Sequence, residues 1–282
     1  MQLIKTIQEM QAWSRRERAE GKSIGFVPTM GALHEGHLSL VRRAKDENET
    51  TVVSVYLNPA QFGPHEDLDT YPGDVEADLS RLSPYEVDAL FLPTNEEMYP
   101  DGFSLSIDVG SLGEILCGAS RPGHFNGVAL VVAKLFNSVV PHRAYFGQKD
   151  FQQTVIIRKL VRDLNFDIDI IVCPIVRERN GLAMSSRNVY LNDLERKAAL
   201  IVYRSLKRGE ELIRSDNIDD MSSLKNEIRK KIISEPLAQI DYVNIVDIHS
   251  LQELNIIKPP LALCLAVKIG RTRLIDNVIV ER

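Results

Sequence analysis

The chain has 282 residues, 44% hydrophobic and 26% charged, enough to bury one large core or two ordinary ones. With a net charge of −5 and both signs mixed throughout, no basic tract stands ready for a nucleic-acid backbone, and no apolar run approaches membrane length. No leader-like segment opens the chain, and the widely spaced Cys117, Cys173 and Cys264 read as buried, unreactive free thiols, so a cytoplasmic protein is expected.

Ile7, Met10 and Trp13 recur at helical spacing within residues 4–20, and Gly21 closes the segment, which predicts an opening helix. Residues 24–29 form an apolar run short enough for a buried strand. Leu38, Leu40, Val41 and Ala44 then return to helical spacing, in a helix expected to begin near His37. The β-branched run over 51–57 predicts a strand covered on both faces and ended by Asn58-Pro59. Further helices are expected over 76–82, 125–139 and 151–164, and strands over 87–92, 144–146 and 168–176. Such alternation indicates βαβ crossovers, and residues 1–176 are expected to form an α/β domain with a doubly wound, mostly parallel sheet.

Beyond Val176 the pattern changes. A polar loop, 177–188, leads to a long helix over 194–213, a second over 224–233 and a strand at 242–246. Runs over 261–269 and 273–280, separated by Gly270-Arg271-Thr272, suggest a hairpin. Residues 177–282 are therefore expected to form a smaller α+β C-terminal domain.

The chemistry gathers at loops that follow strands, where a doubly wound sheet holds its ligand. Met30-Gly31-Ala32-Leu33-His34-Glu35-Gly36-His37 reads as a glycine turn entering a helix, with free backbone N–H groups and the positive end of the helix dipole facing a phosphate. Its two imidazoles, three positions apart, can address one ligand. The same histidines could instead cap the turn. Zinc is disfavoured because no further cysteine or histidine cluster completes a ligand set. Gln61, in Asn58-Pro59-Ala60-Gln61-Phe62, offers a carboxamide that both donates and accepts. Gly147-Gln148-Lys149-Asp150 combines close backbone approach with a point charge for phosphate, and Gln153 lies about one helical turn further on. Met184-Ser185-Ser186-Arg187 presents two hydroxyls and a guanidinium, suited to a mobile clamp on a triphosphate or to a serine turn opening a helix. Arg121 and His124 are secondary candidates.

These pieces, in this order, resemble the nucleotidyltransferases with HIGH and KMSKS motifs, and within them the pantothenate synthetase (pantoate:β-alanine ligase) family. The resemblance is carried by residues 26–38, 58–64, 121–125, 147–153 and 181–188. Ala60, Gly73, Cys117, Asn126 and Asn180 depart from the family's leucine, arginine, glutamate, arginine and aspartate, which puts surface or loop details in question.

The resemblance implies a Rossmann-like domain that binds ATP and pantoate, covered by a C-terminal lid, in a homodimer formed through the larger domain. It implies ATP-dependent condensation of (R)-pantoate with β-alanine through a pantoyl adenylate, giving pantothenate, AMP and pyrophosphate, with Mg²⁺ carried chiefly by phosphates and water and no dedicated metal cage. The residues it assigns to ATP are Met30, Gly31, Ala32, Leu33, His34, Glu35, Gly36, His37, Gly147, Gln148, Lys149, Asp150, Val176, Met184, Ser185, Ser186 and Arg187. The catalytic set is His34, His37, Lys149, Ser185, Ser186 and Arg187, with His37 expected to pass a proton to the departing pyrophosphate. Gln61 and Gln153 would hold pantoate, and Gln61 would also meet β-alanine.

Overall fold

A computed structural model describes residues 1–64, 66–218 and 220–281. The first unit runs β1 (Gln2–Ile4), α1 (Ile7–Ala19), β2 (Ile24–Thr29), α2 (Glu35–Glu47), β3 (Thr50–Val55), α3 (Val75–Leu82), β4 (Ala89–Phe91), α4 (Asn95–Met98), α5 (Cys117–Ser120), α6 (His124–Val139), β5 (Arg143–Gly147), α7 (Phe151–Asp163) and β6 (Asp169–Cys173). Its six strands are all parallel, in the order β1-β4-β3-β2-β5-β6. One face is covered by α1, α6 and α7, where Phe136 packs edge-on against Phe26, Phe146 and Phe166; Leu38, Val41, Ala44 and Leu82 of α2 and α3 seal the other. Burial on both faces explains why β2 and β3 read as continuous apolar runs.

The second unit contains α8 (Asp193–Ala198), α9 (Leu200–Arg214), α10 (Met221–Ile233) and an antiparallel sheet of β7 (Ala238–Val246), β8 (Leu261–Ile269) and β9 (Thr272–Val280). Along β8 the side chains alternate in size as well as face. Leu261, Leu263, Leu265, Val267 and Ile269 pack on the helices, while the small Ala262 and Cys264 turn toward Leu116, Phe151 and Val155 of the first unit. Small residues on that face let the two units approach closely.

The fold matches the α/β expectation with local corrections. The opening helix does not begin at Ile4, because that residue belongs to the short edge strand β1, and Thr6 and Glu9 form a capping box that starts α1 at Ile7. The long helix expected over 194–213 is two helices. Asn192 and Glu195 cap α8, and the path turns at Ala199. Strand β6 stops at Cys173, before Pro174, which has no N–H to donate to a ladder. The hairpin turn is tighter than expected: Ile269 pairs with Thr272, leaving only Gly270 and Arg271 in the loop.

Candidate active site

Strand β2 pairs with β3 over six residues but with β5 only at Gly25 and Phe26. The chain builds outward from β2 through β3 and β4 on one side and through β5 and β6 on the other. A crevice therefore opens between the carboxyl ends of β2 and β5, the topological switch point of the sheet. Pro28 lies beyond the last β2–β5 pair, where its missing N–H disturbs no bond to β5.

The turn after β2 is tightly held. Thr29 Oγ1 donates to the Ser54 carbonyl at 2.8 Å and accepts the Gly31 N–H at 3.2 Å. Gly31 and Ala32 both adopt positive φ, 84° and 51°. The buried Asp78 carboxylate accepts the N–H of Ala32 at 3.0 Å and of Leu33 at 2.7 Å. Helix α2 begins at Glu35, earlier than expected, because His34 is its N-cap: His34 Nδ1 accepts the Gly36 N–H at 3.1 Å. His37 Nδ1 faces the His34 N–H at 3.4 Å, and the two rings stack with centroids 4.1 Å apart. The capping and ligand-facing readings are thus compatible. With Nδ1 accepting in each ring, the neutral tautomer carries its hydrogen on Nε2, the donor left for a ligand.

Contrary to the expectation from sequence, the turn does not present a row of free amides, since those of Ala32 and Leu33 go to Asp78 and that of Gly36 goes to His34. Glu35 turns outward to pair with Arg42. The polar side chains that this turn leaves facing the crevice are the two imidazoles. Burial, helped by nearby Lys149, pushes His34 down to about 4. Burial, then His34 and Lys149, pushes His37 well below its ordinary value. In the free protein both rings are therefore neutral near pH 7, each with Nε2–H as its remaining donor.

Across the crevice, His34, His37, Lys149, Val176 and Met184–Arg187 line one chamber of about 690 Å³, with Met30, Gly36, Gly147 and Asp150. A Cβ placed on Gly147 would meet no atom within 4 Å, so the glycine leaves the chamber open at the end of β5. Lys149 Nζ lies 3.6 Å from Asp150. Ser185 Oγ accepts the Arg187 N–H at 3.3 Å, the serine turn considered from the sequence. The Arg187 fork is already filled: its Nε and Nη2 donate to Asp67 at 2.8 Å each, while Ser186 Oγ and Tyr71 OH lie 2.9 Å apart. Arg187 is therefore latched to the loop after β3. Gly31, Ala32, Leu33, Glu35 and Gln148 do not line the chamber; Gln148 bonds to Asn277 of β9 at 3.1 Å.

A second chamber of about 950 Å³ adjoins the first and shares Met30, His37, Gly147, Asp150 and Arg187 with it. It brings Gln61 and Gln153 together, beside an apolar wall from Val128, Val131, Val132 and Leu135. Gln61 Oε1 accepts from Asn58 Nδ2 at 3.0 Å, so its Nε2 is the end left toward the chamber, 2.9 Å from Met30 Sδ. Asn58 is fixed in turn by Tyr99 OH at 2.8 Å and the Gly127 carbonyl at 3.2 Å. His124 Nδ1 lies 2.7 Å from the Gln61 carbonyl, and its Nε2 is 2.9 Å from Arg121, which pairs with Glu66. Sequence reasoning missed Asn58, Asp67, Tyr71, Asp78 and Tyr99. Only Asn58 stood inside a motif, and the rest become visible once loops distant in sequence are folded together. Cys117 is not a surface departure either. It is buried where the units meet, 3.2 Å from Tyr242 OH and 3.6 Å from the Arg273 guanidinium.

Gly127 lies where α6 crosses the Pro59–Gln61 turn, and a Cβ there would overlap the Ala60 carbonyl and stand 2.8 Å from the Gln61 nitrogen. Backbone cannot yield as a side chain end can, so Gly127→Ala should cost about 1–3 kcal/mol in unfolding experiments. An unchanged thermal midpoint would contradict this close approach.

Acid should also destabilise the site. His34 and His124 are both held near 4, chiefly by burial, against about 6.5 in an unfolded chain. The unfolded state then binds more protons between those values, so their contribution is complete above about pH 6.5 and falls as pH drops toward 4. Each should cost on the order of 2 kcal/mol at pH 5. Thermal midpoints measured from pH 7.5 to pH 5 should fall, and His124→Asn should flatten the slope. A pH-independent midpoint would contradict the burial of these rings.

Comparison with known proteins gives matches over nearly the whole chain. The family model described as Pantoate-beta-alanine ligase matches residues 2–279. A pantothenate synthetase from Thermosipho africanus is 55% identical over 280 residues, covering 99% of this chain and 100% of that one. A pantothenate synthetase crystal structure from Thermus thermophilus superposes with a TM-score of 0.95 at 44% identity, over 100% of both chains. The pantoate-beta-alanine ligase of Francisella tularensis, crystallised with beta-gamma ATP and beta-alanine, superposes with a TM-score of 0.80 at 38% identity, over 99% of this chain and 97% of that one.

Proposed function

The chain belongs to the pantoate-beta-alanine ligase family, and we propose how its two chambers divide that family's reaction. The protein is an AMP-forming ligase: it condenses pantoate with β-alanine through a pantoyl adenylate, using ATP and releasing pyrophosphate. The observation that carries the division is that His37 belongs to both chambers, one lined by lysine, hydroxyls and arginine, the other by two carboxamides and an apolar wall.

ATP takes the first chamber. Lys149 and the Nε2–H groups of His34 and His37 donate to the triphosphate, and Ser185, Ser186 and Arg187 close on it after Arg187 exchanges Asp67 for phosphate. (R)-pantoate takes the second, with Gln61 and Gln153 meeting its hydroxyls and carboxylate and the valine-leucine wall receiving its methyl groups. A buried polar group left unpaired costs about 1–3 kcal/mol, so the paired amides select a hydroxy acid. The carboxylate oxygen attacks the α-phosphorus near His37, and the bond to pyrophosphate breaks. Donors aimed at the developing charge and fixed before the reaction supply most of the acceleration. The neutral amine of β-alanine, beside Gln61, then attacks the acyl carbon; AMP leaves and the nitrogen loses a proton.

Mg²⁺ fits this site as an ion carried by the triphosphate and water. Among the described residues no three His, Cys, Asp or Glu side chains converge on a point, although Asp150 lines both chambers. When bound, it would neutralise phosphate charge. Residues 177–282 act as a lid domain on 1–176, keeping water from the acyl adenylate. Free, buried Cys117, Cys173 and Cys264 support a cytoplasmic setting. A homodimer would form through the larger unit, where Leu105 stands 75% exposed; sedimentation as a monomer would count against it.

The reaction is tested by incubating the protein with ATP, Mg²⁺, (R)-pantoate and β-alanine, omitting each in turn. AMP and pantothenate should appear in equal amounts and only with all components present. AMP formed with some other acid or amine but not these would overturn the substrate assignment.

A further inference from the structure

Two neighbouring residues of β9, Asp276 and Asn277, are almost fully buried, touch neither chamber and yet reach the loops on both sides of the first one. Asn277 Nδ2 donates to the carbonyls of Gln148 and Lys149, each at 3.0 Å, and its Oδ1 accepts from Gln148 Nε2 at 3.1 Å. Its own N–H donates to Asp276 Oδ1 at 2.8 Å. The Asp276 carboxylate receives the Arg177 fork at 2.6 and 2.9 Å. Arg177 lies over the Tyr203 ring and donates to the Gly181 carbonyl at 3.1 Å. Arg177 bridges to Ala183, directly ahead of Met184 and Ser185.

From this we infer that Asn277 is a positioning residue for Lys149, and that with Asp276 it ties the lysine turn to the serine-arginine loop, so that the second unit sets both sides of the triphosphate chamber together. Lysine is a point charge on a flexible stem, so its aim depends on where its backbone is fixed. The Gln148–Asp150 segment is a single 3-10 turn between β5 and α7, and two of its carbonyls are held by a side chain from the other unit. Moving the second unit away breaks those bonds and releases the lysine. Bringing it back restores Lys149 and the clamp in one step.

The inference rests on the reading of Lys149 as a triphosphate ligand, and it is tested by separating the two half-reactions. Pantoate-dependent exchange of labelled pyrophosphate into ATP reports adenylation. Conversion of preformed pantoyl adenylate with β-alanine reports the second step, in which no triphosphate is present. Asn277→Ala should lower kcat/KM for ATP in the exchange by about 10- to 100-fold, the scale of a small misplacement, and leave the second step within about threefold. Asn277→Asp, which keeps the volume and the acceptor for Gln148 but sets an oxygen against two carbonyls, should do the same. In a Lys149→Ala background, Asn277→Ala should add little, because it acts through the absent side chain.

Normal exchange in both Asn277 variants would overturn the inference. So would equal losses in both half-reactions with a lowered thermal midpoint, or losses that multiply with Lys149→Ala, since each marks a general structural role. Normal exchange in Lys149→Ala alone would instead sink the lysine assignment on which the inference rests.

Discussion

Replacing His37 by alanine should lower the rate of adenylate formation by about 10²- to 10³-fold, the range found when one preorganised donor to a developing charge is removed. The ring belongs to both chambers and stacks on His34 at 4.1 Å, with its Nδ1 turned to the His34 N–H. Its Nε2–H is therefore the donor left toward the chambers. Because burial, with Lys149 nearby, keeps the ring neutral, the defect should be nearly constant between pH 6 and pH 8. A general acid would behave otherwise: wild-type turnover would decline with rising pH as the acid form disappeared, and His37→Ala would abolish that decline. His37→Gln, which keeps an N–H donor, should recover part of the rate. Turnover of His37→Ala within a few-fold of the parent in pyrophosphate exchange would remove His37 from the mechanism.

Lys149→Ala should be comparably damaging but distributed differently. The lysine faces the chamber assigned to ATP and contributes to the depressed pKa of both histidines. Its loss removes a full positive charge from ground-state ATP as well as from the pentacoordinate α-phosphorus. The expected result is a rise in KM for ATP together with a fall of about 10²-fold or more in the adenylation kcat. KM for β-alanine should stay near the parent value. A change confined to KM would mean that Lys149 binds substrate and transition state equally. An unchanged kcat/KM for ATP would remove it from the site.

How far the sequence reaches is clearest in the turn from β2 to α2. Apolar periodicity placed both elements, and the glycine and histidines marked the turn, because those signals are local. What the turn does with its amides was not legible, because their partner, Asp78, is 46 residues from Ala32. The same holds for Arg187. Residues 184–187 announce a clamp, but only folding brings Asp67, 120 positions away, into its fork. Gln61 was recognisable as an amide, while the direction it points depends on Asn58, Tyr99 and α6. β1 escaped notice because it has only three residues, with Ile4 alone buried. Local chemistry thus marks the candidate residues, and tertiary hydrogen bonds determine which atoms they offer.

The most direct measurement follows the carboxylate oxygen. With (R)-pantoate labelled with oxygen-18 in both carboxylate positions, attack on the α-phosphorus followed by amide formation transfers one label into AMP and leaves the other in the pantothenate amide. One labelled oxygen per AMP, in proportion to pantothenate formed, is the predicted result. Unlabelled AMP, or label recovered in inorganic phosphate, would mean that the acid is activated elsewhere on ATP and would contradict the adenylate placed at His37.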